Sequence, residues 1–140
     1  MTGETVGAVV FRVERDVFFL PASVAVKVLP MPPVARVPGG PADLLGVALV
    51  DSEIVPVVAV GDVERLRARA VGPLARGREN RPMLVCAYLG ERIGLVGVEI
   101  LATGRFGTTA ADELAYPGGS ARIFDVGGVF AHLREGRWAV

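Results

Sequence analysis

The hydrophobic pattern changes period along this chain, and the changes mark its elements. Residues 6–14 (VGAVVFRVE) alternate, with Val9, Phe11 and Val13 on one side and Val10, Arg12 and Glu14 on the other. A period of two is that of a strand. Arg15-Asp16 reads as a turn, and residues 17–21 (VFFLP) as the returning arm of a hairpin. Residues 22–29 (ASVAVKVL) are apolar around one charge and read as a short helix leading into a strand. Residues 30–41 follow, holding five of the ten prolines. Proline fixes its own φ and restricts its predecessor, so this segment is stiff and extended. Its Met31, Val34 and Val37 make it too apolar for a floppy linker, and it is predicted to be a packed crossing between two halves of a fold.

Residues 46–60 (GVALVDSEIVPVVAV) predict two strands around Asp51-Ser52, the second apolar on both faces. The period then becomes helical over 62–70 (DVERLRARA), with Asp62 as N-cap and Gly72-Pro73 as stop. Residues 71–81 are polar and predicted to be a mobile loop. A second hairpin is predicted over 82–101, turning at Gly90-Glu91. Residues 102–119 are less regular, 120–126 read as a last strand, and 127–135 as a short terminal helix. Short strands at this spacing, with no internal repeat, predict an all-β barrel or sandwich. At 140 residues the chain reads as a single domain spanning 1–140.

Charge narrows the functional classes. Fifteen basic groups balance fifteen acidic ones, so there is no overall pull towards nucleic acid or an anionic membrane. Arginine supplies fourteen of the positive charges, which makes Lys27 the sole lysine. Arg65, Arg67, Arg69, Arg76, Arg78 and Arg81 cluster in one stretch. They fit a phosphate-binding surface, or a solvated helix face and loop balanced by Asp62, Glu64 and Glu79. No aromatic side chain is interleaved for base stacking, which favours the solvated face. No run approaches 18 uncharged apolar residues, so no membrane span is expected. One cysteine and no signal-like start fit a reducing cytoplasm.

Candidate chemistry is sparse. A metal centre needs three or four converging ligands, and the spacing around the single His132 and single Cys86 offers none. Cys86 reads as a small core residue and His132 as a surface residue of the last helix. The Gly-Gly pairs at 39–40, 118–119 and 127–128 lack the Lys-Ser/Thr of a phosphate loop and read as turns. No catalytic residue, cofactor site or metal site is expected.

Longer segments resemble a known family. FFLPASVAVKVLP, RVPGGP and GVALVDSEIVPVVAV follow, in order, the pattern of a CheW-like domain. That pattern runs from a Phe-rich turn into V-x-E-V, through a proline-rich crossing, to G-V-x-N-L-R-G-x-I-x-P-V-x-D-L. IGLVGVEI is similar to the family's G-L-x-V-D-x-V strand, and ARIFDVGGVF to its closing segment. The resemblance covers roughly residues 8–133. It implies an all-β fold of two interlocked five-stranded, SH3-like barrels with one or two short helices. It also implies a non-catalytic adaptor that bridges chemoreceptors and the regulatory domain of a CheA-type histidine kinase. Pro38, Gly39, Pro41, Gly46, Pro56, Gly94 and Leu95 match family positions that set turns and the crossing.

The departures fall where the family is charged or polar. Its Asn-Leu-Arg-Gly is Leu49-Val50-Asp51-Ser52 here. The Asp ending its P-V-x-D-L is Ala59, and that of its G-L-x-V-D is Val98. The Glu of its V-x-E-V is Lys27, and its turn Arg is Asp51, so both charges of a pair that lie close in the family are reversed. Lys27 and Asp51 are therefore expected to form a charge-swapped ion pair. With Ser52 in the glycine position, the turn is expected to differ in type or length.

The resemblance places partner binding for receptor or kinase at Val26, Lys27, Leu29, Arg36, Val50, Asp51, Ser52 and Val98. The implied partners are the signalling tip of a chemoreceptor, a CheA-type regulatory domain and other CheW-like proteins. The departures point to an accessory copy in which kinase binding is altered or lost. Direct membrane insertion and nucleic-acid binding are not expected, and a nucleic-acid-binding barrel using residues 65–81 is the alternative.

Overall fold

The computed structural model describes residues 4–38, 41–61 and 81–138, the last five by backbone alone. Ten strands and one helix occupy them: β1 (Thr5–Val13), β2 (Asp16–Pro21), β3 (Ala25–Pro30), β4 (Leu44–Val50), β5 (Glu53–Ala59), β6 (Pro82–Tyr88), β7 (Glu91–Val96), β8 (Glu99–Ala110), β9 (Glu113–Tyr116), β10 (Gly119–Ile123) and α1 (Val126–Trp138). The first two strands and the last three close a barrel in the order β1-β2-β10-β9-β8. The middle five form a sheet in the order β3-β6-β7-β5-β4. The chain thus leaves the barrel after β2, builds the sheet, and returns at Gly97-Val98.

The alternation read in the sequence decides which side chains go where. On β1, Val6, Ala8 and Val10 turn into the barrel with Phe19, Leu114 and Ala121. Val9, Phe11 and Val13 turn outward, yet they are not exposed, because they face the sheet. There they meet Leu20, Ala25, Val58, Leu84, Cys86, Ile93, Leu95 and Val98 in a core shared by both units. Phe11, Phe18 and Phe124 fill it with edge-on and tilted ring contacts of 5.3–6.1 Å. A third cluster lies inside the sheet's own curve, built on Leu45, Ala48, Val50, Val55, Val57, Met83, Val85 and Val96. No polar or charged residue is buried among the described residues. An interior so apolar is held by hydrophobic burial and packing rather than by polar networks.

Helix α1 closes the shared core from the C-terminal side. Val126, Phe130 and Leu133 lie on its inward face, and Phe130 stacks on Tyr88 at 5.7 Å. Asp125 accepts the Gly128 N–H at 3.0 Å, a side-chain cap for an otherwise orphan donor.

Several expectations are corrected. Residues 22–24 form a turn rather than a helix, pinned by Ala22 N–H to the Gly7 carbonyl and Val24 N–H to the Pro21 carbonyl, both 2.8 Å. The Pro-rich segment does not cross between the halves. Both its ends, β3 and β4, belong to the sheet, and it wraps the sheet's open side, exchanging two 2.8 Å bonds between Ala35 and Val47. The predicted 82–101 hairpin is divided, because its second arm ends at Val96 and Glu99 starts a barrel strand. Residues 102–119 are regular, carrying most of the twelve-residue β8 and all of β9. The second unit is a five-stranded sheet whose edges β3 and β4 share no ladder, while the first is a closed barrel. The predicted helix over 62–70 and all of the 71–81 loop but Arg81 lie outside the described residues.

Candidate partner-binding site

The β4–β5 hairpin turns through Asp51 and Ser52, with Val50 opposite Glu53. Both turn residues have positive φ, 51° and 68°, the signs of a type I′ turn. That turn matches strand twist, and it normally takes Asn, Asp or Gly; Ser52 is held there by the hairpin. Because β5 and β7 run parallel, the β6–β7 turn at Leu89-Gly90 lies at the same end of the sheet.

Ion pairs tie this end together. Lys27 Nζ on β3 donates to Asp51 Oδ2 at 2.7 Å, spanning the gap between the two strands that share no ladder. Arg92 Nη1 stands 3.4 Å from Glu53 Oε1, joining the two hairpins. Hydrogen bonding from Lys27 and its positive charge hold the Asp51 carboxyl below its ordinary value of 3.8, with a smaller contribution from Arg92. Both pairs are solvent-exposed, so they orient the surface more than they stabilise the fold.

Around these charges stand large aliphatic side chains in water. Leu49 is 67% exposed, Ile54 73% and Leu89 80%, whereas the described core holds its aliphatics below a tenth. Leu49 and Ile54 are direct cross-strand partners on the outer face of the hairpin. Scattered single apolar residues are ordinary, but a cluster at one end of a sheet is characteristic of an interaction surface.

The residues singled out in the sequence divide. Val26 (exposed), Lys27, Asp51 and Ser52 sit at this end, and Leu29 is half-buried against the sheet interior. Arg36 is exposed on the wrapping segment, beside the Ala35–Val47 bridge. Val50 and Val98 are corrected: Val50 points into the sheet's curve and Val98 into the shared core, so neither side chain can meet a partner directly. Val50 follows from alternation with its exposed neighbour Leu49. Val98 faces inward because the chain passes between the units there. Sequence reasoning missed Leu49, Ile54 and Leu89 as exposed positions, and Glu53 and Arg92 as a pair. The available signal was the two-residue turn, which places its flanking residues in strict alternation.

Among the described residues, none at this end forms a catalytic constellation. Cys86 is buried in the shared core, and burial pushes its thiol up to about 12, far from a nucleophilic thiolate. His132 Nε2 lies 3.1 Å from Asp43 Oδ1 and fastens α1 to the segment before β4. Among the described residues no group of three His, Cys, Asp or Glu side chains could hold a metal ion. No helix of the described residues is long and apolar enough to cross a membrane.

A closed barrel and a curved sheet, locked through one apolar core and carrying aliphatic side chains at a sheet end, define a β-rich interaction fold. Residues 7–131 match the CheW-like domain, and the chain belongs to that family. The fold is similar to that of the scaffolding protein TtCheW from Thermoanaerobacter tengcongensis. The TM-score is 0.56 at 18% identity, with 87% of this chain and 74% of that one covered. No curated protein matches the chain.

Proposed function

We propose that this chain is a non-catalytic scaffold of a bacterial chemosensory system, coupling chemoreceptors to a CheA-type histidine kinase. The observation that carries the reading is membership of the CheW-like family over residues 7–131. The exposed sheet end supports it, because a scaffold works by surfaces that its own fold leaves uncovered. Each contact of such a scaffold is weak, and repetition in a lattice gives it strength.

Within that reading, this chain acts as an accessory copy that keeps receptor binding and has weakened kinase binding. The support is the reversal of both charges at Lys27 and Asp51, together with Leu49 where the family pattern has Asn. A partner surface complementary to the usual dipole meets the opposite one here, and like-charge contacts reject such a partner. Titration against a purified CheA regulatory domain and a receptor signalling-tip fragment tests this. Binding to the receptor fragment with weak or no kinase binding is the expected result. Tight kinase binding overturns the accessory role, and binding to neither overturns the scaffold reading.

A further inference from the structure

The geometry points to the outer face of the sheet, at its turn end, as a seat for an amphipathic α-helix of a partner protein. The helix lies across the strand ends on Leu49, Ile54 and the Tyr88-Leu89 corner, with a basic residue towards Glu91. This rests on reading the sheet end as the partner surface of a scaffold, and adds what that surface takes.

Register puts the seat in one row. Val50, Val55 and Val57 point into the sheet's curve, so Leu49, Ile54 and Pro56 point to its outer face. Leu49 and Ile54 are cross-strand partners. Strands β5 and β7 pair in parallel with Val57 beside Gly94, and carrying that register back sets Ile54 beside Glu91. Glu91 in turn stands opposite Tyr88 on β6. Further along the same face Val58, Leu84, Cys86, Ile93 and Leu95 are buried in the core shared with the barrel. The row Leu49–Ile54–Glu91–Tyr88 therefore continues a covered apolar surface into water. At Tyr88 it meets α1, whose Phe130 stacks on the ring.

The seat is a face and not an edge. Ala35 holds both backbone groups of Val47, and the Lys27–Asp51 pair spans the seam beyond it. Sheet faces are covered by helices or by other sheets, and α1 already covers part of this one. The dimensions fit a helix. The row spans three strand spacings, about 14 Å, and three helical turns span about 16 Å. Positions i, i+4, i+7 and i+11 of a helix share one side and meet Leu49, Ile54, Glu91 and Tyr88 in turn.

Leu89 points the same way on independent grounds. Among the described residues the non-glycine positions with positive φ are Glu14, Asp51, Ser52 and Leu89, and only the last is apolar. Its φ of 53° disfavours a leucine, and at 80% exposure no burial within the fold offsets that strain. Strain without a structural return marks a functional position. Lys27 and Arg92 face Asp51, Glu53 and Glu91 at this end, two positive charges against three negative, which favours a helix with basic flanks. Glu91 is also engaged within the chain, so it biases the partner and the aliphatic side chains anchor it.

The test is a titration of the full chain with a helical peptide of about 18 residues, five turns, carrying leucine at i, i+4 and i+11 and lysine at i+7. Amide shifts in NMR spectra report the site, and a peptide of the same composition with its stripe scrambled is the control. Shifts are expected at Leu49, Ile54 and Leu89 and not at barrel amides such as Val10. Ile54→Lys, shown to be folded by circular dichroism, should weaken binding about tenfold, the effect of one buried aliphatic side chain. Leu89→Gly should weaken binding by a similar factor while raising the thermal midpoint, which a merely structural leucine would not do. No binding of the striped peptide at millimolar concentration overturns the proposal, as does equal binding of the scrambled one or of both variants. A receptor fragment that binds the wild type and Ile54→Lys equally also overturns it and leaves the scaffold reading standing. Peptide binding at this row by a chain that binds neither receptor fragment nor kinase domain upholds the seat and overturns the scaffold reading.

Discussion

The closed barrel and the open sheet each have five strands, but they solve the edge problem differently. The barrel pairs β2 with β10 and β1 with β8, so every strand has two neighbours and no backbone edge remains. The sheet stops at β3 and β4. Its gap is spanned by the Ala35–Val47 bridge at one place and the Lys27–Asp51 ion pair at another. Closure leaves a surface inert; an open seam leaves local contacts that a partner can address. The exposed aliphatics Leu49, Ile54 and Leu89 all belong to the open sheet. Under the proposed function the barrel is the buttress and the sheet the presenting unit, joined by the core both share.

The largest test of that division breaks the core both units share. Phe11→Ala removes a fully buried ring, and such truncations cost about 3–5 kcal/mol. Thermal unfolding followed by near- and far-ultraviolet circular dichroism should shift as one transition. Separate transitions for barrel and sheet would break the comparison.

The next test acts on the sheet alone. A Cβ at Gly46 would stand 2.1 Å from the Ala35 carbonyl oxygen, a backbone atom that cannot rotate away. Gly46→Ala should therefore force the wrapping segment off β4, costing about 1–3 kcal/mol as an overpacked site does. Hydrogen exchange should show lost protection at Val47 and Ala35 while barrel amides such as Val10 keep theirs. Equal loss in both units would mean that the seam is not local to the sheet.

A smaller effect of the opposite sign is expected at the turn. Ser52 occupies a positive φ, which costs a non-glycine residue about 1 kcal/mol, and Ser52→Gly should recover a similar amount. Chemical denaturation measures it. A loss of stability instead would mean that the Ser52 side chain makes contacts worth more than the strain.

The smallest effect concerns the clasp. In the folded chain Asp51 titrates below its ordinary 3.8, so its pairing with Lys27 contributes above the unfolded value and fades as pH falls through the lowered one. Lys27→Met should raise the Asp51 midpoint in a carboxyl-detected NMR titration. The reversed pair Lys27→Glu/Asp51→Lys should behave better than either single change. If it does not, the two side chains are independent surface charges.

Local pattern carried the sequence reading a long way, and it failed at identifiable residues. The hairpin of β1 and β2, the β4–β5 turn at Asp51-Ser52 and the terminal helix are all visible in period and turn residues. The long β8 was not, because Thr103-Gly104-Arg105 and Gly107 interrupt its apolar positions and dilute the alternation. The split after Val96 was invisible because Gly97-Val98 continues an apolar run while the backbone changes sheets. Of the candidate surface, the pairing partners Lys27 and Asp51 were legible from a resemblance. The exposure of Leu49 and Leu89 was not, since leucine in a sequence reads as core.

By itself, then, the sequence determined strand periods, turn sites, the absence of local metal-ligand spacing and the family pattern, because each depends on residues near one another in the chain. Tertiary structure alone decided which face of each strand is covered. Val9 and Phe11 point out of their barrel and are buried only because the sheet lies against them. Leu49 and Ile54 alternate just as regularly and stay in water, because the covered part of that face ends below them. Alternation defines two faces; only the packing of distant segments determines which of them meets solvent.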